Sequence, residues 1–224
     1  MLAGHSLGEY TALAVAGVLD AGTAVFLARE RGRLMHQAGQ ETPGGMVAVL
    51  GFDEAELTEV CRETGARVVN INCPGQLVIS GPTVSLTAAV ELVKSRGSYR
   101  TIPLHVSGAF HTPLIQSAVD GMTEVIATLP FREPAIPIIG NTTARPLTTA
   151  DEIKEELLRQ LCDCVQWQPS VEYMIASGVD TFIEIGPGKV LTGLIKRISK
   201  DVTTLNIGDA AAVREIITKY GPGE

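Results

Sequence analysis

Five residues near the start of the chain, Gly4-His5-Ser6-Leu7-Gly8, have the spacing of a nucleophile elbow. In G-x-S-x-G a strand turns sharply into a helix, the serine at the apex is held in a strained conformation, and the glycines let neighbouring backbone pass closely. The N–H of Leu7, at the helix start, would face an oxyanion developing on an attacked carbonyl. A chance Gly-Ser turn also fits the five letters. The next segment favours the elbow: Leu7 to Val18 is Ala-rich and apolar nearly all round, the pattern of a buried helix. Only Met1, Leu2 and Ala3 precede the motif, whereas sheet strands run to about five or six residues.

A serine nucleophile needs a base. The chain has four histidines. His5 adjoins the serine and should point away from its hydroxyl. His36 lies at the margin of an amphipathic helix, and His105 falls within a strand, where a structural role is the default. His111 ends the loop Ser107-Gly108-Ala109-Phe110-His111, just before a helix start. Catalytic groups are commonly presented on such loops, so His111 ranks first.

The second unusual residue is Arg31. On a helix from about Thr23 to Ala38, Leu27, Ala28, Leu34, Met35 and Ala38 share one face, and Arg31 falls among them. A guanidinium on an apolar face is costly unless paired, and no acid of this helix shares the face. A distant structural ion pair or a snorkelling side chain would explain it. So would a pocket awaiting an anion, because the planar guanidinium fork suits a carboxylate. Beside a serine nucleophile, the second reading implies an acyl group that ends in a carboxylate.

The elements needed to position these residues are legible in outline. Thr23 is the expected cap and Gly39 the expected stop of the arginine helix. From Gly44 the chain reads as strand MVAVLG, helix from Asp53, strands ARVVNIN and QLVISG, helix from Thr83 to about Arg96, and strand RTIPLHV. This βαββαβ order predicts a ferredoxin-like α+β subdomain over residues 44–106. Thr112-Pro113 starts another helix. Beyond it lie strand AIPIIG, helices from about Asp151 to Cys162 and from Pro169 to Ser177, strand TFIEIG, a helix from Lys189 to Ser199 and strand VTTLNIG, with a frayed tail from Gly221 to Glu224. The alternation predicts a parallel α/β core from residues 1–43 and 107–224.

Composition removes several function classes. Hydrophobic residues make up 45% and charged residues 19%, which suits a packed globular chain. A formal charge of -7 argues against nucleic acid as a partner. The start lacks the pattern of a secretory signal, and Leu7 to Leu19 is too short to span a bilayer, so a cytoplasmic protein without membrane association is expected. Cys61, Cys73, Cys162 and Cys164 form no metal-binding spacing and read as free thiols. EIGPGKV is not a phosphate loop, because Ile183 stands where glycine and Val190 where Ser or Thr is required.

Six ordered segments resemble the motifs of malonyl-CoA:acyl-carrier-protein transacylases: GHSLGEYTALAVAGVLD, ARERGRLMHQA, NINCPGQLVISG, GAFHTPL, CVQWQPSVEYM and EIGPGKVLTGLIKR. The acyltransferase domains of polyketide and fatty-acid synthases share the pattern. The resemblance implies a hydrolase-like α/β core with a ferredoxin-like insert. It implies Ser6 as nucleophile, His111 as its base without a triad carboxylate, and Arg31 for the malonyl carboxylate. It further implies Leu7 as an oxyanion donor, Gln166 as the residue whose carbonyl orients the histidine, and Asn70 and Asn72 near the pocket mouth. Malonyl-CoA and acyl carrier protein are the implied partners. No cofactor beyond the thioester is implied, and neither is a metal, and the complete enzyme is expected as a monomer serving fatty acid biosynthesis. Leu7 after the serine and Phe110 before the histidine resemble malonyl-selective members.

Members of the family start upstream of Met1, with core strands and a Gly-Gln-Gly segment that supplies a second oxyanion donor. The chain therefore reads as N-terminally truncated. Since loss of such a donor lowers rates about a hundred- to a thousandfold, it is expected to be poorly folded or nearly inactive alone. Rival readings are an α/β-hydrolase-type esterase or thioesterase, which would use a triad acid and no pocket arginine, a polyketide-type acyltransferase, and a non-enzymatic carrier-protein-binding fragment.

Overall fold

A computed structural model describes residues 1–97 and 99–220. The predicted frayed tail, Gly221 to Glu224, lies outside the described residues. The chain forms two compact units, Met1–Ser170 and Val171 onward.

The first unit opens with strand β1 (Leu2–Ala3), helix α1 (Leu7–Val15) and helix α2 (Ala21–Glu41). The arginine helix is longer than its sequence signals implied. Asp20, not Thr23, caps it by accepting from the Thr23 N–H at 2.9 Å. Gly39 lies inside it, because a Cβ there would sit 2.3 Å from the Ser107 carbonyl oxygen; a close approach selects this glycine, not a helix stop.

Next come β2 (Gly45–Leu50), α3 (Glu54–Thr64), β3 (Arg67–Cys73), β4 (Gln76–Gly81), α4 (Thr83–Ser95) and β5 (Arg100–Pro103). The four strands make an antiparallel sheet in the order β3-β4-β2-β5. Strand alternation gives it two apolar faces. Val47 and Val49 of β2 join Leu57 and Val60 of α3 and Ala89 and Val93 of α4 in one cluster. Met46 and Ala48 face the other way, toward Leu104 and Phe110. His105 lies beyond the end of β5 and is exposed, so it is not a strand residue.

A 3₁₀ turn (Pro113–Ile115), α5 (Gln116–Ala127), β6 (Ile138–Ile139), β7 (Pro146–Leu147) and α6 (Ala150–Cys162) complete the main body. β1 pairs parallel with β6, which pairs antiparallel with β7. The expected all-parallel core is thus a short mixed sheet in this unit. Leu13, Leu27, Met122, Ile138 and Leu157 share one core, which joins α1, α2, α5 and α6 around that sheet. Helix α7 (Trp167–Ala176) begins here and ends in the second unit.

The second unit holds β8 (Thr181–Ile185), α8 (Val190–Ile198), β9 (Thr203–Ile207) and α9 (Ala210–Tyr220). β8 and β9 run parallel. Glu184 accepts from the Leu191 and Thr192 N–H groups, which ties the start of α8 to β8. Helix α9 had no counterpart among the sequence expectations. No helix among the described residues is long and apolar enough to cross a membrane.

Candidate active site

Ser6 caps α1 at φ 49°, ψ -102°, a strained conformation for a residue with a Cβ. Two contacts hold it there. Its N–H donates to Asn141 Oδ1 at 2.7 Å, and its carbonyl accepts from Gln160 Nε2 at 2.9 Å. The elbow also needs glycine at position 4, where a Cβ would sit 2.0 Å from the backbone carbonyl of Gly8. Leu7 is the first residue of α1, so its N–H has no intrahelical acceptor.

His111 is 5% exposed and lies against the serine. Its Nε2 is 3.0 Å from Ser6 Oγ, and its Nδ1 is 2.6 Å from the backbone oxygen of Gln160. A carbonyl only accepts, so Nδ1 carries the hydrogen and Nε2 offers its lone pair to the hydroxyl. Burial pushes the imidazole pKa down, helped by the positive charge of Arg31, to about 3. A neutral base thus faces Ser6 throughout the neutral pH range.

Arg31 is 6% exposed. Its Nη2 donates to Ser6 Oγ at 2.8 Å and to Gln160 Oε1 at 2.9 Å. Its guanidinium carbon lies 5.2 Å from the centre of the Tyr10 ring. Among the described residues it belongs to no ion pair, and its Nε is buried without a hydrogen-bond partner. A buried cation with an unused donor, next to a serine hydroxyl, is a ready site for a carboxylate.

Ser6, Arg31, Asn70 and His111 open onto a cavity of about 410 Å³, whose apolar wall includes Met35, Met46, Leu104 and Phe110. At its edge His5 Nε2 lies 2.8 Å from Asn72 Oδ1 and 3.4 Å from Asn70 Nδ2, and the His5 ring packs 5.6 Å from that of Trp167. His5 therefore points away from the serine hydroxyl, toward the two asparagines of β3. His36 is exposed on α2. Among the described residues no His, Cys, Asp and Glu side chains cluster in threes to hold a metal. None of the four cysteines is in a disulfide, and burial raises the thiols of Cys61 and Cys164 to about 12, so neither is an available nucleophile.

Residues 1–221 match the model of the acyl transferase domain. The chain is 42% identical over 216 residues to the malonyl CoA-acyl carrier protein transacylase of Bacillus subtilis, covering 94% of this chain and 68% of the relative. It is also 42% identical to the Escherichia coli K12 protein of the same name, covering 95% of this chain and 70% of that one. The solved acyl-carrier-protein-S-malonyltransferase of Bartonella henselae superposes with a TM-score of 0.93 at 37% identity, over 98% of this chain and 71% of that one. A malonyl-transacylase solved in complex with a type II PKS acyl-carrier protein gives 0.93 at 36% identity, over 98% of this chain and 72% of that one.

The chain belongs to the acyl transferase domain family.

Within this acyl transferase domain one expected role moves. The carbonyl that orients the histidine was expected at Gln166 and belongs to Gln160, in the last turn of α6. Gln166 instead donates its N–H to the Asn141 carbonyl at 2.7 Å, and its own oxygen accepts from Ser170 Oγ at 2.6 Å. The sequence held a signal for Gln160. Ile153, Glu156, Leu157, Gln160 and Leu161 are the buried residues of α6, and their spacing is a single helical face. Glu156 and Gln160 are polar intruders on it, the same anomaly that marks Arg31 on α2. Glu9 is another, fully buried in an otherwise apolar α1. Burial raises its pKa to about 8, the nearby Glu156 carboxyl adding to the rise. Asn141, in the turn after β6, also escaped notice, because nothing in a turn sequence shows where its side chain points.

Proposed function

We propose that this chain transfers a malonyl group from malonyl-CoA to the phosphopantetheine thiol of acyl carrier protein, through a malonyl-Ser6 ester, in fatty acid biosynthesis. The observation that carries this reading is Arg31, buried with no ion-pair partner among the described residues and touching the serine hydroxyl.

His111 Nε2 takes the Ser6 proton as Oγ attacks the thioester carbonyl, and the tetrahedral oxyanion forms toward the Leu7 N–H. The carbon–sulfur bond breaks, and the departing coenzyme A sulfur receives the proton from His111. Malonyl-Ser6 remains, with its free carboxylate on Arg31. The carrier-protein thiol then gives its proton to His111 and attacks the ester carbonyl. Ser6 Oγ leaves and recovers that proton. No redox or metal step is needed, and the only cofactor moiety consumed is the thioester itself.

An esterase or thioesterase triad would place a carboxylate on Nδ1 of the histidine, whereas Nδ1 here meets the neutral Gln160 carbonyl. That partner holds the tautomer and the ring orientation without an acid. Asn70 and Asn72, beside the cavity mouth with His5, are suited to the amide-rich arm of the thioester. We read residues 44–106 as a ferredoxin-like subdomain, supported by the βαββαβ order of β2 to β5. We read residues 1–43 and 107–224 as a hydrolase-like core, supported by the strand–elbow–helix geometry at Ser6.

The test is steady-state kinetics with malonyl-CoA and holo acyl carrier protein. A double-displacement enzyme gives parallel double-reciprocal lines and malonyl-carrier protein as product. Intersecting lines, or free malonate as the main product, would overturn the proposal.

A further inference from the structure

Gln160 and Asn141 each hold the elbow from one side, and both turn their remaining N–H groups inward to the same buried acid. Asn141 Oδ1 accepts from the Ser6 N–H, and its Nδ2 donates to the Gly4 carbonyl at 2.8 Å. Gln160 Oε1 accepts from Arg31, and its Nε2 donates to the Ser6 carbonyl. A backbone N–H and a guanidinium can only donate, and a backbone carbonyl can only accept. Both amide orientations are therefore set by obligate partners, and each has one further N–H to place. Both go to Glu9: Oε1 accepts from Asn141 Nδ2 at 2.9 Å and from the Asn141 backbone N–H at 2.9 Å, and Oε2 accepts from Gln160 Nε2 at 2.5 Å. All three are donors, so the network closes only if the side chain at position 9 accepts with both oxygens.

We propose that Glu9 is a positioning residue for malonyl selectivity: its two carboxyl oxygens, accepting from Asn141 and Gln160, lock the Gln160 amide in the one orientation that offers Oε1 to Arg31. This inference rests on the reading of Arg31 as the partner of the malonyl carboxylate.

Glu9→Gln keeps the shape and removes one acceptor. The new amide should keep its oxygen toward Asn141, which brings two donors, and turn its NH₂ toward Gln160. Two N–H groups then face each other across a contact that was 2.5 Å, so the Gln160 amide must turn aside, which loosens its Oε1 from Arg31. A full flip is resisted, because it would put an NH₂ group against Arg31 and an oxygen against the Ser6 carbonyl. The Gln160 backbone carbonyl, which holds His111, is unaffected by rotation of its side chain. The damage should therefore fall on Arg31 more than on the serine–histidine pair.

The experiment compares wild type, E9Q, E9D and R31M for initial acylation of Ser6 by malonyl-CoA and by acetyl-CoA, with thermal denaturation recorded for each. E9Q is expected to lower kcat/KM for malonyl-CoA about ten- to a hundredfold, largely through KM, and to lower the malonyl-to-acetyl ratio by a similar factor. E9D keeps an acceptor with shorter reach and should recover part of the ratio. If E9Q does not fold, E9D carries the test with a ratio below wild type. A purely structural role for Glu9 would lower Tm and slow both substrates equally. The inference is overturned if either folded Glu9 variant keeps the wild-type ratio while R31M has lost it. If R31M itself keeps the ratio, the reading of Arg31 fails, and the inference falls with it.

Discussion

Arg31→Met separates the catalytic account from a structural one, because the two predict opposite changes in rate and stability. In the free protein Arg31 donates to Ser6 Oγ and Gln160 Oε1 and packs on Tyr10, but among the described residues no carboxylate forms an ion pair with it. Burying such a cation costs several kcal/mol. Each charged hydrogen bond offsets about 1.5–3 kcal/mol of that cost, and the ring contact about 2. The sum is close to zero, so a methionine of similar length should leave Tm within about 5 °C of wild type. Catalysis should behave differently. A malonyl carboxylate bound by two charge-assisted hydrogen bonds gains about 3–6 kcal/mol, so its loss removes roughly two to four powers of ten from kcat/KM for malonyl-CoA. Acetyl-CoA has no carboxylate and should lose far less. The charge of Arg31 also holds the His111 pKa down, so R31M should move the acidic limb of the pH–rate profile upward. The assay is stopped-flow acylation with both thioesters across pH, with a melting curve for each preparation. A large fall in Tm together with an unchanged preference for malonyl over acetyl would refute the reasoning.

Other expectations rest on the same geometry. Since His111 is pushed down to about 3, wild-type acylation should show no loss of rate near pH 6.5, where an ordinary histidine protonates. The same shift makes stability fall with acid: below pH 6.5 the unfolded chain binds a proton that native His111 refuses, and the loss accumulates down to about pH 3 at about 1.4 kcal/mol per pH unit. Comparing denaturation of wild type and H111A over that window isolates the effect, and an identical pH dependence would count against it. The two elbow glycines should respond oppositely. G4A drives a Cβ into the backbone of Gly8 and should cost well over about 1 kcal/mol along with most activity, whereas G8A meets no atom within 4 Å and should leave Tm unchanged or raised. Urea unfolding and an acylation assay on both variants check the pair.

What the sequence revealed of this site depended on whether a residue broke a local pattern. Arg31 was legible because a charge interrupts an apolar helical face, and the structure places it against Ser6. Ser6 and His111 were legible because a glycine-flanked elbow and a loop before a helix start are local signals; their 3.0 Å contact spans 105 residues of chain. Gln160 carried the same kind of anomaly as Arg31, yet motif matching drew attention to Gln166, six positions on, whose neighbours are more distinctive. The βαββαβ stretch was read well because its strands alternate and its turns are rich in glycine and proline. The core sheet was not, because β1, β6 and β7 are two residues each in this chain, too short to show a period. The capping of α2 was misplaced because Asp20 and Thr23 form one local motif, and sequence cannot tell which of the two is the acceptor.

The central claim is that Ser6 forms an ester with a malonyl group held by Arg31. The most direct measurement is intact-mass analysis of the protein after prolonged incubation with malonyl-CoA, then peptide mapping, read as end-point stoichiometry. The account predicts one malonyl group per chain, on the peptide containing Ser6, absent from S6A and discharged by holo acyl carrier protein. An adduct on another residue, or an unmodified wild-type chain that is shown to be folded, would contradict it.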